Sequence, residues 1–218
     1  MIFPDLKNKT FGSVNLNLEA EKWFEQNFFS TKRNPLLDPH ICQDFVDEVH
    51  KKHGLDFSYG GWMENRSTLW ARSYLEKNKS FIHLGVDLNV PSGTRIALDF
   101  PGQVVLVDDD FPEEGGWGPR VIVKHGTLPV YVIYAHLDGI DCKVGDDLKN
   151  NDVFAQVGMF PKNGNWFPHL HVQLVANEYY EMLVKENILS TLDGYAHEEE
   201  IEELAEKFPD PMRLIFLS

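Results

Sequence analysis

Cysteine is scarce: the 218-residue chain has two, Cys42 and Cys142. Two thiols a hundred positions apart give neither a disulfide framework nor a cysteine-type zinc spacing, so reduced structural thiols are expected. Long hydrophobic runs are missing too, and no stretch approaches the length needed to span a bilayer. The opening "MIFPDLKNKTFGSVNLNLEA" carries Pro4 and Asp5 and no continuous apolar core, so it does not read as a secretory leader. The expected location is therefore the cytoplasm. Positive charge is in deficit, with 20 Lys and Arg against 34 Asp and Glu and a net charge of -14. Nucleic-acid binding draws on clustered Lys and Arg, so the deficit argues against that class of partner. The same deficit argues against residence on an anionic membrane. Internal repeats and low-complexity linkers are absent as well.

What is present is a hydrophobic fraction of 43%, enough for one packed domain with a helical annex. Residues 1–80 read as a helical or irregular extension packed on the core. In it, "EAEKWFEQNFF" spaces Trp23, Phe24, Phe28 and Phe29 for a helix. In "DPHICQDFVDEVHKKHG", Asp38 can cap, Pro39 suits the first turn, Ile41, Phe45, Val46 and Val49 share a face, and Gly54 closes. "FSYGGWMENRSTLWARSYL" is aromatic and irregular. From 81 to 176 the signals become short strands, among them "GQVVLVDD", "RVIVKHG" and "VYVIYAHL", with an acidic, glycine-rich loop over 108–120. Residues 177–218 return to helix, in "NEYYEMLVKENIL" and in "HEEEIEELAEKFPDP", which ends at Pro209. The fold class is mainly β, an antiparallel barrel or sandwich core with helical N- and C-terminal extensions, and α+β overall.

Three stretches carry chemistry. In "FIHLGVDLNVPSGT", His83 and Asp87 lie four apart in an apparent strand running into a turn, so both side chains can face one point. An imidazole and a carboxylate aimed at one point are a common ligand pair for a divalent metal. In "NWFPHLHVQLV", His169 and His171 alternate with Leu170 and Val172 and share a face. In "VYVIYAHLD", His136 ends an apolar strand, on the same face as Tyr134 by alternation. Any one of these alone is more often an ordinary strand histidine; their joint occurrence in one chain weighs against that. His40, His50, His53, His125 and His197 show no comparable arrangement. "HEEEI" fails the helical H-E-x-x-H zinc pattern, because Ile201 stands where the second His belongs.

H-x-x-x-D, then an aromatic-x-His-Leu strand end, then H-x-H, in this order, resembles the lysostaphin-type (LytM-like) zinc metallopeptidases, over roughly residues 81–175. "VPSGTRI", "GWGPRVIVKHG", "YAHLDG" and "VGDDL" support the likeness. The resemblance implies a LytM-like β core and one zinc per chain, held by His83, Asp87 and His171. It places His136 and His169 beside the metal as catalytic groups, and implies hydrolysis of a peptide or peptidoglycan-like amide bond. Three protein ligands leave one position open, as a hydrolytic zinc requires. Family members are typically exported and cut cell-wall peptides, often at glycine-containing bonds. This chain is acidic and carries "MFPKNGNWFP" before its H-x-H, where wall-cleaving members are small and polar. In that style it looks similar to a cytosolic branch found fused to aminotransferase-like enzymes.

Other classes compete. A histidine phosphocarrier would also use two facing histidines, although Asp87 would repel a phosphohistidine. A regulatory member would bind metal without cleaving, and a jelly-roll oxygenase would use iron with both strand histidines, His83 and Asp87. Arg66 and Arg72 could line a pocket for a carboxylate or phosphate, but Arg stems packed over aromatic rings are the expected role.

Overall fold

The computed structural model describes residues 1–27, 33–110 and 115–215. Strand β1 (Phe11–Ser13) leads into helix α1 (Leu16–Gln26), where Asn15 caps by accepting from the Leu18 amide at 2.9 Å. Trp23 and Phe24 lie in α1; Phe28 and Phe29 fall outside the described residues. Helix α2 (Pro39–His53) forms as its residues require. The Asp38 carboxylate accepts from the amides of His40 and Ile41, and Gly54 ends the helix at a left-handed φ of 65°. Cys42, Phe45, Val46 and Val49 form its buried stripe. Ile41, expected on that face, is 40% exposed, because it falls at the border of an i, i+3, i+4, i+7 stripe that starts at Cys42. Both cysteines are free.

Strands also occur before residue 80, where the sequence pattern suggests only helix and loop. They are β2 (Phe57–Gly60) and β3 (Glu64–Asn65). The chain continues through β4 (Ile82–His83), β5 (Val86–Asn89), β6 (Arg95–Ala97), β7 (Gly102–Asp110), β8 (Gly118–His125) and β9 (Val130–Ala135). After β10 (Leu137–Asp138), β11 (Asp147–Leu148), β12 (Val153–Val157) and β13 (Leu170–Ala176) come α3 (Asn177–Lys185), β14 (Tyr195–Ala196) and α4 (Ile201–Lys207).

The main sheet runs β1-β2-β5-β13-β9-β8-β7-β11. It is an open sheet and not a closed barrel, and β1 pairs with β2 in parallel, so the expected antiparallel pattern fails at that edge. Two small sheets, β10-β12-β6 and β14-β4-β3, complete the β core. Much of the expected acidic loop over 108–120 is hairpin, since β7 and β8 pair up to Asp110 opposite Gly118.

Period-two alternation gives the sheet two faces. Val86, Leu88, Val121, Val123, Val132, Tyr134, Leu170, Val172 and Leu174 pack on one side with Ile96, Phe154 and Val157 from the small sheet β10-β12-β6. Ile122, Tyr131, Ile133 and Val175 pack on the other against Tyr180 and Leu183 of α3. Asp87, His171 and Gln173 occupy the in-between positions of β5 and β13, on the side of the second cluster. A third cluster joins α1 and α2 to Leu69 and Phe167. Among the described residues no helix is long and apolar enough to cross a membrane.

Candidate metal centre

Strand pairing assembles the first two donors. His171 of β13 lies directly opposite Asp87 of β5, on the same sheet face. His83 reaches them by a different route from the single strand expected over 81–90. The strand breaks at Leu84 and Gly85: His83 belongs to the small sheet, paired with Glu64 and Tyr195, while Asp87 belongs to the main one. At the break, Gly85 packs against the His171 ring. A Cβ there would stand 2.5 Å from His171 Nε2, so only glycine lets the backbone pass.

The three donors converge tightly. His83 Nε2 is 3.0 Å from His171 Nδ1 and 3.3 Å from Asp87 Oδ1, and His171 Nδ1 is 3.1 Å from the same oxygen. All three side chains are buried. Outer partners fix the tautomers. His83 Nδ1 donates to the Gly61 carbonyl at 3.0 Å, and His171 Nε2 donates to Gln173 Oε1 at 3.2 Å. Gln173 is itself held by donating to the Asp193 carbonyl at 3.1 Å. With the outward nitrogens donating, the facing nitrogens are the ones left to offer lone pairs, and they meet beside a carboxylate oxygen. Three lone-pair donors in one small triangle repel each other unless a cation lies between them. Tetrahedral zinc, bonded at about 2.0–2.1 Å, sets its ligand atoms about 3.3 Å apart, which matches this triangle. The residues fit a zinc ion.

Arg66 completes the electrostatics. The guanidinium donates through Nη1 to Asp87 Oδ2 at 2.5 Å and through Nε to Glu64 Oε1 at 3.2 Å, with both Arg66 and Asp87 buried. It also stands 5.1 Å from the Trp70 ring centroid. The expected stacking on an aromatic ring is present, and the carboxylate it reads is Asp87. Its segment is pinned to α1 by Asn17 Oδ1, which accepts from the amides of Thr68 and Leu69 at 2.9 Å. Burial pushes the Asp87 carboxyl up, but the polar groups around it, the buried Arg66 guanidinium among them, outweigh it and hold the group well below the usual carboxylate range. Burial, reinforced by Arg66, lowers the His83 ring to about 3, so it is neutral and can ligate.

Two further histidines flank the triangle. His169 Nδ1 donates to the Phe167 carbonyl at 2.7 Å, which leaves the Nε2 lone pair 3.8 Å from Asp87 Oδ1. Its ring centroid lies 4.5 Å from that of His136. His136 sits between β9 and β10 at φ 64°, a left-handed conformation that breaks the strand alternation. Tyr134 therefore does not share its face: Tyr134 packs in the core against Phe154, whereas His136 lines the cleft. His136 Nδ1 is buried with no hydrogen-bond partner among the described residues. Burial lowers both rings below the ordinary histidine value and keeps them neutral. A cleft of about 760 Å³ opens over all five groups. The residues expected from the sequence thus sit at one place. Arg66, Gly61 and Gln173 are the supporting groups that sequence reasoning did not single out in these roles.

The fold and this donor set define a β-core protein with a buried His–Asp–His cluster that could hold a metal ion. Residues 81–181, just under half of the chain, match the model described as Peptidase family M23. Comparison with proteins of curated function yields no match. Among solved structures, the chain is similar to one described as peptidase M23 from Pseudomonas aeruginosa. The identity is 32% over 44% of this chain and 39% of that one, at a TM-score of 0.39. It is also similar to the catalytic domain of lysostaphin from Staphylococcus simulans, at 27% identity over 44% of this chain and 69% of that one, TM-score 0.39. A zinc-containing peptidase from Vibrio cholerae matches at 24% identity over 50% of this chain and 31% of that one, TM-score 0.40. The chain thus spans less than half the length of the first and third of these.

Proposed function

We propose that the protein is a zinc-dependent peptidase that hydrolyses a peptide bond in the cleft over the His83–Asp87–His171 triangle. The observation that carries this reading is the convergence of three fixed lone-pair donors with two neutral, unligated imidazoles beside them. Bound zinc supplies Lewis acidity toward a carbonyl oxygen and makes water acidic enough to attack near neutral pH. His83 Nε2, His171 Nδ1 and Asp87 Oδ1 would hold the ion, a donor set of the size that hydrolytic zinc sites use. His169 Nε2 is the base: its other nitrogen is committed to Phe167, so this atom takes the proton from the attacking water. His136 faces the same cleft and stabilises the charge that develops on the carbonyl oxygen. Neutral rings suit both tasks, since a protonated imidazole could neither accept the proton nor tolerate the nearby cation.

Metal analysis with peptide assays tests this. Purified protein supplied with zinc is expected to hold about one ion per chain, in line with a mononuclear three-ligand site. His171→Ala should lose ion and hydrolysis together, whereas His169→Gln should keep the ion and lose turnover by about 10²–10⁴-fold. Zinc-free wild-type protein after loading, or an unimpaired His169→Gln enzyme, would refute the assignment.

A further inference from the structure

Two indoles stand beside the histidines of the cleft. The Trp70 ring lies 5.8 Å from His83 and the Trp166 ring 5.7 Å from His169, each near-perpendicular to its imidazole at 86° and 83°. Both positions are fixed before any ligand arrives. The Trp70 amide donates to the Arg66 carbonyl at 2.8 Å, and its ring carries the Arg66 guanidinium. Trp166 Nε1 donates to the Leu36 carbonyl at 2.9 Å. Both tryptophans are half-buried and line the cleft, so part of each ring stays open to a ligand. Tyr74 and Tyr195, with ring centroids 6.1 Å apart, extend the aromatic wall further along it.

A wall of this kind is selective through burial. A pre-positioned indole offers a large apolar area at little entropic cost, but only a side chain of comparable size can cover it. A glycine residue leaves it wet. We propose that the cleft takes peptides with a large apolar or aromatic side chain next to the cleaved bond, in preference to glycine, and that Trp70 and Trp166 set this preference. The inference rests on the peptidase reading above and deepens it.

The test uses the zinc-loaded full chain and internally quenched peptides identical except for a central Gly-Gly, Leu-Leu or Phe-Phe pair. The expected kcat/KM is at least about 10-fold higher for the Leu and Phe peptides than for the Gly peptide. Trp70→Ala and Trp166→Ala should each shrink that ratio, while Trp70→Phe and Trp166→Phe, which keep a ring, should largely retain it. Equal cleavage of the glycine and bulky peptides would overturn the preference and leave the peptidase reading standing. Failure to cleave any of the peptides would remove the peptidase reading, and this inference with it.

Discussion

The segment 81–181 and the chain on either side of it build the metal centre in different ways. The segment supplies every donor, and two of them, Asp87 and His171, come from facing positions on regular strands. The flanks supply what aims those donors. The Gly61 carbonyl accepts from His83 Nδ1, Arg66 donates to Asp87, and the Asp193 carbonyl holds the glutamine that accepts from His171. None of these flanking groups lies in a long regular element; they sit in turns and short strands around 61–66 and 193. The family-matched segment is therefore incomplete as a candidate metal site by itself. Its ligand geometry depends on main-chain and guanidinium contacts reached from outside.

The strongest way to break that dependence is Arg66→Met, which removes the guanidinium and keeps the stem. Asp87 would then be a buried carboxylate with no cationic partner, a loss of about 3–5 kcal/mol of stability in the metal-free chain. Zinc affinity should fall by about 10–100-fold, as for other groups that orient a ligand. Denaturant titration with and without zinc reads both, and added zinc should recover part of the stability. Unchanged unfolding and unchanged affinity would mean that the flank is only packing.

Acid should distinguish the regions as well. His83, His136 and His169 are held neutral by burial, with His83 lowered to about 3. In the unfolded chain they bind protons below about pH 6.5, so between that value and the folded one the unfolded state carries more protons. The lowered Asp87 acts with the same sign below about pH 4, where the unfolded carboxyl protonates and the folded one does not. Stability of the metal-free protein should thus be greatest above about pH 6.5. It should fall below that by about 1.4 kcal/mol per pH unit for each proton taken up on unfolding. Urea titrations at pH 7.5, 6.5 and 5.5 check this; a flat profile would contradict neutral buried rings.

Gln173→Leu probes the finer part of the comparison. It removes the acceptor that fixes the His171 tautomer, and with it the link to Asp193. Zinc affinity should drop by about 10-fold, the lower end for such partners. A competition titration against a chromophoric chelator measures the change, and an unaltered constant would show that His171 needs no aiming.

The same division explains what was legible in the sequence. Strand donors follow a period of two, so His169, His171 and the strands around them could be read directly from alternation. Helix α2 was legible because Asp38, Pro39 and Gly54 mark its ends. The break at Leu84 and Gly85 was not, because a strand that changes sheets keeps its apolar alternation while its hydrogen-bond partners change. Nor was the displacement of His136 from the Tyr134 face, which comes from one left-handed residue. Arg66 stands in "ENRSTLW", which has no period, and its partner Asp87 lies 21 positions away. A contact of that kind leaves no local signal, and neither does the Gly61 carbonyl.

The smallest expected effect sharpens the comparison from the other side, by changing a flank residue that touches no ligand. The Asp38 carboxylate caps α2 by accepting from two amides, at 2.9 and 3.2 Å, and α2 packs in the cluster with Leu69 and Phe167. Asp38→Ala should cost about 1 kcal/mol of stability, the usual loss for a capping side chain. The helix would still be held by its buried face, so Arg66 and Gly61 should keep their places and zinc affinity should be unchanged. If affinity drops along with stability, the flank acts on the metal centre through its general rigidity rather than through its particular contacts.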